Sequence, residues 1–261
     1  VGTELANTPD LTASLNTGQE FLVNTSQQDH QARPHIANLT DGGYLLVYGS
    51  DNYNSTEKSI MAQRYDSTNN TVGNEYLVIP SSEENTSLQA IATLNDGSLV
   101  VLFHMAEALH AQLLDTNGMP QGQAFEVKSY DDFMTTTQNI SVTGLADGGF
   151  VVAWVVGFDG QVFARIYDSQ GQLVGNELQV AVGDIGYSTS LTALDDGGFI
   201  TVWPTRDGSN YDIVGQKYNA QGELVGNEIQ ISSTSSSYKS SISSTVLDDG
   251  GFVVNQFFNY G

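Results

Sequence analysis

Residues 150–154, Phe-Val-Val-Ala-Trp, are apolar at every position, so a strand built from them offers hydrophobic side chains to both faces and needs cover on each. Four more runs are similar, at residues 44–48, 99–103, 199–203 and 252–257, the fourth and fifth units admitting Thr201, Asn255 and Gln256. Each is preceded by Asp-Gly, which predicts a hairpin turn, because glycine enters positive φ without strain and aspartate accepts from its own nearby backbone. Upstream of the turns lie the less apolar segments "HIANL", "QAIATL", "ISVTGL", "SLTAL" and "ISSTVL". Downstream come "IMAQRYD", "ALHAQLLD", "QVFARIYD" and "DIVGQKYN", followed by "EYLVI", "AFEVK", "ELQVA" and "EIQIS". The pattern predicts four short strands per unit, A to D, in an all-β chain, since no run of useful length keeps a helical period.

The turn aspartates Asp41, Asp96, Asp147, Asp196 and Asp249 recur at intervals of 55, 51, 49 and 53 residues. A period of this size marks stacked or radially arranged units. Strand A carries the small residues Ala37, Ala92, Thr143, Thr192 and Thr245 two positions before its last leucine, which predicts that these strands crowd together. Doubly covered B strands and crowded A strands are both satisfied by a five-bladed β-propeller of four-stranded blades. The fifth unit stops after strand B, while "GQEFLVN" from Gly18 matches "GNEYLVI" from Gly73 as a D strand and "GTELANTP" stands where strand C belongs. The last blade is therefore expected to be closed by N- and C-terminal strands, which removes exposed edges. On this reading the chain is a single propeller domain, with blades at residues 25–79, 80–128, 129–181 and 182–232, and a last one at 233–261 completed by 1–24.

Acids outnumber bases 30 to 8, for a formal charge of −22. Such a surface repels phosphate backbones and anionic headgroups, so no nucleic acid is expected as partner. The apolar run at 150–158 is far below the roughly 18 residues of a spanning helix, so no membrane insertion is expected. The absence of cysteine excludes disulfides, thiolate metal sites and a cysteine nucleophile, and with the acidic bias suits a secreted bacterial protein. A chain starting at Val1 is expected to be a processed product or a fragment of a larger one.

The A–B and C–D turns, on one face of a propeller, repeat almost unchanged. The B–C and D–A loops, on the other face, differ in every unit and are the expected binding surface. Three B–C loops place an aspartate near an aromatic ring: Asp51 with Tyr53, Asp159 with Phe158, and Asp207 with Tyr211, the last beside Arg206. A carboxylate that accepts hydroxyl hydrogen bonds beside a flat apolar ring suits a sugar; the alternative is an Asp-Gly turn with a surface ring. Trp154 and Trp203, at the ends of their B strands, are ligand candidates through their edges, with blade packing as the alternative. No motif demands a cofactor. Asp29, Glu83, Glu84, Asp131 and Asp132 in the D–A loops are candidates for a hard cation such as Ca2+, and His30, His35, His104 and His110 make no recognisable metal set.

Five-bladed propellers also host glycosidases, which need two carboxylates in a central funnel. Strand A carries no Asp or Glu before its turn, and no G-x-S-x-G, triad or phosphate loop occurs, which argues against catalysis. The units, of the form L-x-D-G-G-F-V-V-x-W and then Q-R-Y-D-x-x-G-x-x-V-G-N-E-x-x-V, resemble repeats of very large secreted bacterial adhesins of the RTX type over residues 18–257. By blade count the chain also resembles tachylectin-like propellers. The resemblance implies an extracellular module of a larger multidomain chain. The expectation is a non-catalytic recognition module that binds carbohydrate or a cell-surface ligand. A structural or protein-interaction propeller without small-molecule ligand is the alternative, and a polysaccharide hydrolase or lyase the third reading.

Overall fold

The computed structural model describes residues 30–51, 58–82, 86–129, 137–157, 160–181, 188–207, 210–235, 238–247 and 249–259. Its turns form for the reasons the sequence suggests. At the first, Leu39 donates to Gly43 O at 2.9 Å and Gly42 donates to Leu39 O at 3.1 Å, with Gly42 at φ 84°. Asp41 Oδ1 accepts from Gly43 N at 3.0 Å, and Asp96, Asp147, Asp196 and Asp249 repeat that contact. The second glycine is needed for space: a Cβ on Gly198 would lie 2.2 Å from Tyr218 O, and one on Gly149 2.4 Å from Tyr167 O.

These hairpins generate four antiparallel four-stranded sheets. The first holds β1 (His30–Asn38), β2 (Tyr44–Asp51), β3 (Lys58–Tyr65) and β4 (Thr71–Ser82). The second holds β5 (Ser87–Thr93), β6 (Leu99–Met105), β7 (Ala108–Leu114) and β8 (Pro120–Ser129). The third holds β9 (Thr137–Gly144), β10 (Phe150–Val156), β11 (Gln161–Tyr167) and β12 (Leu173–Ala181). The fourth holds β13 (Ser190–Ala193), β14 (Phe199–Asp207), β15 (Asn210–Tyr218) and β16 (Leu224–Ser235). A fifth, two-stranded sheet pairs β17 (Tyr238–Val246) with β18 (Phe252–Asn259). No helix occurs among the described residues, and so none long and apolar enough to cross a membrane. The segment expected to complete the fifth sheet, residues 1–24, lies outside the described residues.

First strands pack on first strands, β1 on β5, β5 on β9, β9 on β13 and β13 on β17, as in a propeller-like radial array. Small polar residues make that approach possible. Thr93 Oγ1 donates to Asn38 O at 2.8 Å, Leu191 N to Ser141 Oγ at 3.1 Å, and Ser244 Oγ lies 2.8 Å from Ser190 Oγ and 2.5 Å from Thr192 Oγ1. The core consists of layers between neighbouring sheets. Val47, Ile60 and Val78 of the first sheet meet Leu88, Val101 and Phe103 of the second, and Leu102, Leu109 and Val127 of the second meet Val152 and Trp154 of the third. The consecutive apolar positions of β10 are all buried, as a strand covered on both faces requires.

One polar residue is buried by design of the third and fourth strands. Gln63, Gln112 and Gln216 each sit beside a register shift between these strands, and each amide nitrogen donates to two backbone carbonyls flanking the bulge. In the third sheet Arg165 takes this place and reaches Val127 O of the preceding sheet instead.

Candidate functional site

The repeated turns form a scaffold face. Arg64 joins Asp41 of its own sheet to Asn117 of the next, and Lys217 Nζ lies 3.0 Å from Asp196 Oδ2. The opposite rim carries the irregular backbone. Tyr48 within β2 and Trp154 within β10 each lie opposite a bulge on the first strand of their sheet, at Arg33–Pro34 and Asn139–Ile140, and on β5 Gln89 is the extra residue between the partners of Phe103 and Leu102. Arg33 and Asn139 hold positive φ, 54° and 46°. A bulge re-aims side chains and turns the strand away from its ladder, so the rim around the inner strands is where the fold presents groups outward.

Between the first and second sheets, this rim encloses a cavity of about 210 Å³ lined by Arg33, Asp51, Lys58, Ser50, Ser59 and Ser87 with their neighbours. Asp51, at the end of β2, is paired across the ladders with His30 on one side and Lys58 on the other. Its Oδ1 lies 3.1 Å from His30 Nδ1. Arg33 makes no hydrogen bond or ion pair with a described residue. Its charge reaches both sheets: burial lowers the pKa of His35 on β1, and burial lowers that of His104 on β6 to about 4, with Arg33 acting in the same direction on each. His104 is therefore neutral at physiological pH. Phe103 stacks on His110 at 5.6 Å behind it, and His110 Nδ1 is buried without a partner among the described residues.

The sequence-predicted residues divide sharply. Asp51 lines the cavity. Trp154 is fully buried, stacked on Phe163 at 6.5 Å with the Arg165 guanidinium 5.9 Å from its ring, and Trp203 is buried with Val155, Val162 and Val214. Blade packing accounts for both tryptophans. Of the stretch 204–212, read as a loop, the described residues continue β14 to Asp207 and begin β15 at Asn210, with Arg206 paired with Tyr211 and Asp207 with Asn210 across the ladder. Arg206 is exposed. Tyr53, Phe158 and Asp159 lie outside the described residues, as do Asp29, Glu83, Glu84, Asp131 and Asp132. Among the described residues no three His, Asp or Glu side chains gather in a way that could hold a metal ion. His30, Arg33 and Lys58 were not singled out as a set by sequence; the signal that could have found them is the ladder register running back from Asp51.

No family model matches the chain, and no curated protein matches it at a significant level. Solved structures do. The α-L-arabinanase of Penicillium chrysogenum, complexed with arabinobiose, is 17% identical with a TM-score of 0.53, over 86% of this chain and 71% of that one. The α-L-arabinofuranosidase of Fusarium graminearum gives 12% identity and a TM-score of 0.54 over the same shares. A Hadza microbial sialidase gives 10% and 0.53 over 83% of this chain, which spans half the length of that protein. These likenesses establish the fold. They also overturn the expectation of a non-catalytic recognition module, because the similar proteins are named as glycan-cleaving enzymes. That expectation had weighed catalytic acids only on the first strands and their entrances; in the structure Asp51, at the end of β2, lines the cavity.

Proposed function

We propose that this chain is a carbohydrate-active enzyme that hydrolyses glycosidic bonds of a polysaccharide at the cavity between its first two sheets. The observation that carries this reading is Asp51, a carboxylate held at 3.1 Å from an imidazole nitrogen in a concave, hydroxyl-lined rim. Glycoside hydrolysis needs a proton delivered to the leaving oxygen and charge support for an oxocarbenium-like transition state. Asp51 is the carboxylate placed to take part in that chemistry, and His30, with Nδ1 3.1 Å from Oδ1, orients it. Ser50, Ser59 and Ser87 supply hydroxyls for the polar edges of a sugar. Two-acid schemes require a second carboxylate; in sequence Asp29 directly precedes β1, and Glu83 and Glu84 shortly precede β5.

The finer architecture belongs to the same reading. Residues 1–24 complete the fifth sheet and close five blades into a ring. What supports this is the contrast, among the described residues, between four four-stranded sheets and one of two strands, the exposure of Val253 on β18 and of Ile229 on β16, and the match of "GQEFLVN" to the fourth strands. The repeat form supports a secreted bacterial protein related to large RTX-type adhesin chains, acting outside the cell on a polymer too large to import.

The test is direct. Purified protein incubated with arabinan, galactan, xylan and polygalacturonate is expected to generate new reducing ends from at least one of them. Parallel Asp29→Asn, Glu83→Gln and Glu84→Gln variants locate the second acid by loss of that product. A complete absence of bond cleavage across the panel contradicts the proposal.

A further inference from the structure

The first sheet has two apolar faces. Leu45, Val47, Ile60, Ala62 and Val78 pack toward the second sheet, whereas Leu46, Tyr48 and Tyr65, with Tyr44 and Met61 beside them, form a separate cluster. Leu46, Tyr48 and Tyr65 are buried, yet among the described residues no apolar side chain of another sheet joins that cluster. A strand that is apolar on both sides needs cover on each. The other junctions show how the corresponding face is covered. In the third sheet Phe150 stacks on Tyr167 at 5.0 Å, as Tyr44 does on Tyr65 at 5.0 Å, and Phe125 of β8 in the preceding sheet meets Tyr167 at 5.6 Å. Phe125 also caps a positive-φ glycine of the turn that follows: a Cβ on Gly171 would lie 2.7 Å from its ring. Tyr76 on β4 and Leu178 on β12 do likewise, Tyr76 OH donating to Gly118 O at 2.8 Å and Leu178 Cδ1 standing 3.0 Å from a Cβ on Gly222. Tyr76, Phe125 and Leu178 each come three positions after a glycine of their own strand, Gly73, Gly122 and Gly175.

The first sheet has the matching turn. Asn69, at φ 67°, donates from its backbone N to Asp66 O at 3.1 Å, as Gly118 does to Asp115 O at 2.9 Å and Gly171 to Asp168 O at 3.0 Å. Its Oδ1 accepts from Tyr44 OH at 3.1 Å, which fixes the turn beside the stacked pair. In "GQEFLVN" the residue three positions after Gly18 is Phe21. From this repeat of contacts we infer that the rear face of the first sheet is the docking surface for residues 18–24 of this chain, with the Phe21 ring seated on the Asn69 turn against the Tyr44–Tyr65 stack. This rests on the ring closure proposed above and names the contact that seals it. An aromatic ring suits the place, since it buries a large apolar area and packs tilted or offset on other rings. The consequence reaches the cavity: β2, which ends in Asp51, is held between the second sheet in front and the start of the chain behind.

The experiment uses the full chain with the photoreactive residue p-benzoylphenylalanine in place of Phe21 and, as a control, in place of Phe125. After irradiation, denaturing gels and peptide mass spectrometry locate the new bonds. The control is expected to join Tyr167 or residues 168–172, and position 21 to join Tyr44 or residues 65–70 of the same chain. A second measurement needs no label. Phe21→Ala is expected to lower the melting temperature by at least about 5 °C, and Phe21→Leu by less, as loss of a buried ring contact requires. Bonds from position 21 that miss the first sheet, bonds to the first sheet of a second copy, or none at all while the control reacts overturn the inference, as does an unchanged melt of Phe21→Ala. Closure of the ring is read separately, from the deletion of residues 1–24. A destabilised deletion with position 21 bonded elsewhere sinks this contact and leaves the closure standing; an unchanged melt of the deletion sinks both.

Discussion

At the second glycine of the Asp-Gly-Gly turns in three sheets, a methyl group would meet a carbonyl oxygen of the third strand. Gly149→Ala therefore forces a shift of the hairpin against Tyr167 O, and is expected to cost about 1–3 kcal/mol in chemical denaturation. Gly175→Ala is the contrast: φ is 73° but no atom lies within 4 Å, so only backbone strain, about 1 kcal/mol, is expected. His104 gives a second residue-scale prediction. Its folded pKa, about 4, lies below the 6.5 of a free imidazole, so the unfolded chain binds more protons between those values. The stability that neutral His104 contributes is fully present above pH 6.5 and is lost as pH falls toward 4. Melting temperature against pH should therefore flatten over that window in His104→Gln. Residue identity was legible where chemistry is local: the turn aspartates and glycines do what their types demand. The tryptophans were not assignable that way, because an aromatic at a strand end serves a core or a ligand equally well until its neighbours are placed.

At the scale of the element, the inner strands are defined as much by their interruptions as by their ladders. Counting outward from the Asp41-Gly42 turn pairs Asp51 with Gln31; the bulge at Arg33–Pro34 slips the register by one and brings Asp51 to His30. The strands themselves could be read from hydrophobic periodicity. The bulge could not, since no composition rule fixes where a ladder gains a residue, and the cavity pair depends on it. The third-to-fourth strand bulges show how such defects are supported. Gln112 donates to Leu113 O at 2.8 Å and to Gln121 O at 2.9 Å. Gln112→Leu keeps the volume but removes both of these buried hydrogen bonds, so it is expected to destabilise by about 1–3 kcal/mol by denaturant unfolding.

For the molecule as a whole, packing runs from sheet to sheet, and each layer of core is shared by two neighbours. Among the described residues the last sheet has two strands, with Val253 of β18 exposed, and pairing with residues 1–24 is its proposed completion. Deleting residues 1–24 should lower the melting temperature by more than about 5 °C, whereas an unchanged melt would mean that the ring does not need that segment. Radial order was legible because the same unit recurs five times. The cavity was not, because the repeats describe the scaffold, and the cavity is made by the places where the units depart from one another. The proposed glycan-cleaving site depends on Asp51. The most direct measurement is the rate of reducing-end release by wild type and Asp51→Asn on the best polysaccharide substrate, with melting temperatures recorded alongside. A loss of at least about 100-fold in the variant at unchanged melting temperature is the predicted result; an undiminished rate in Asp51→Asn would contradict it.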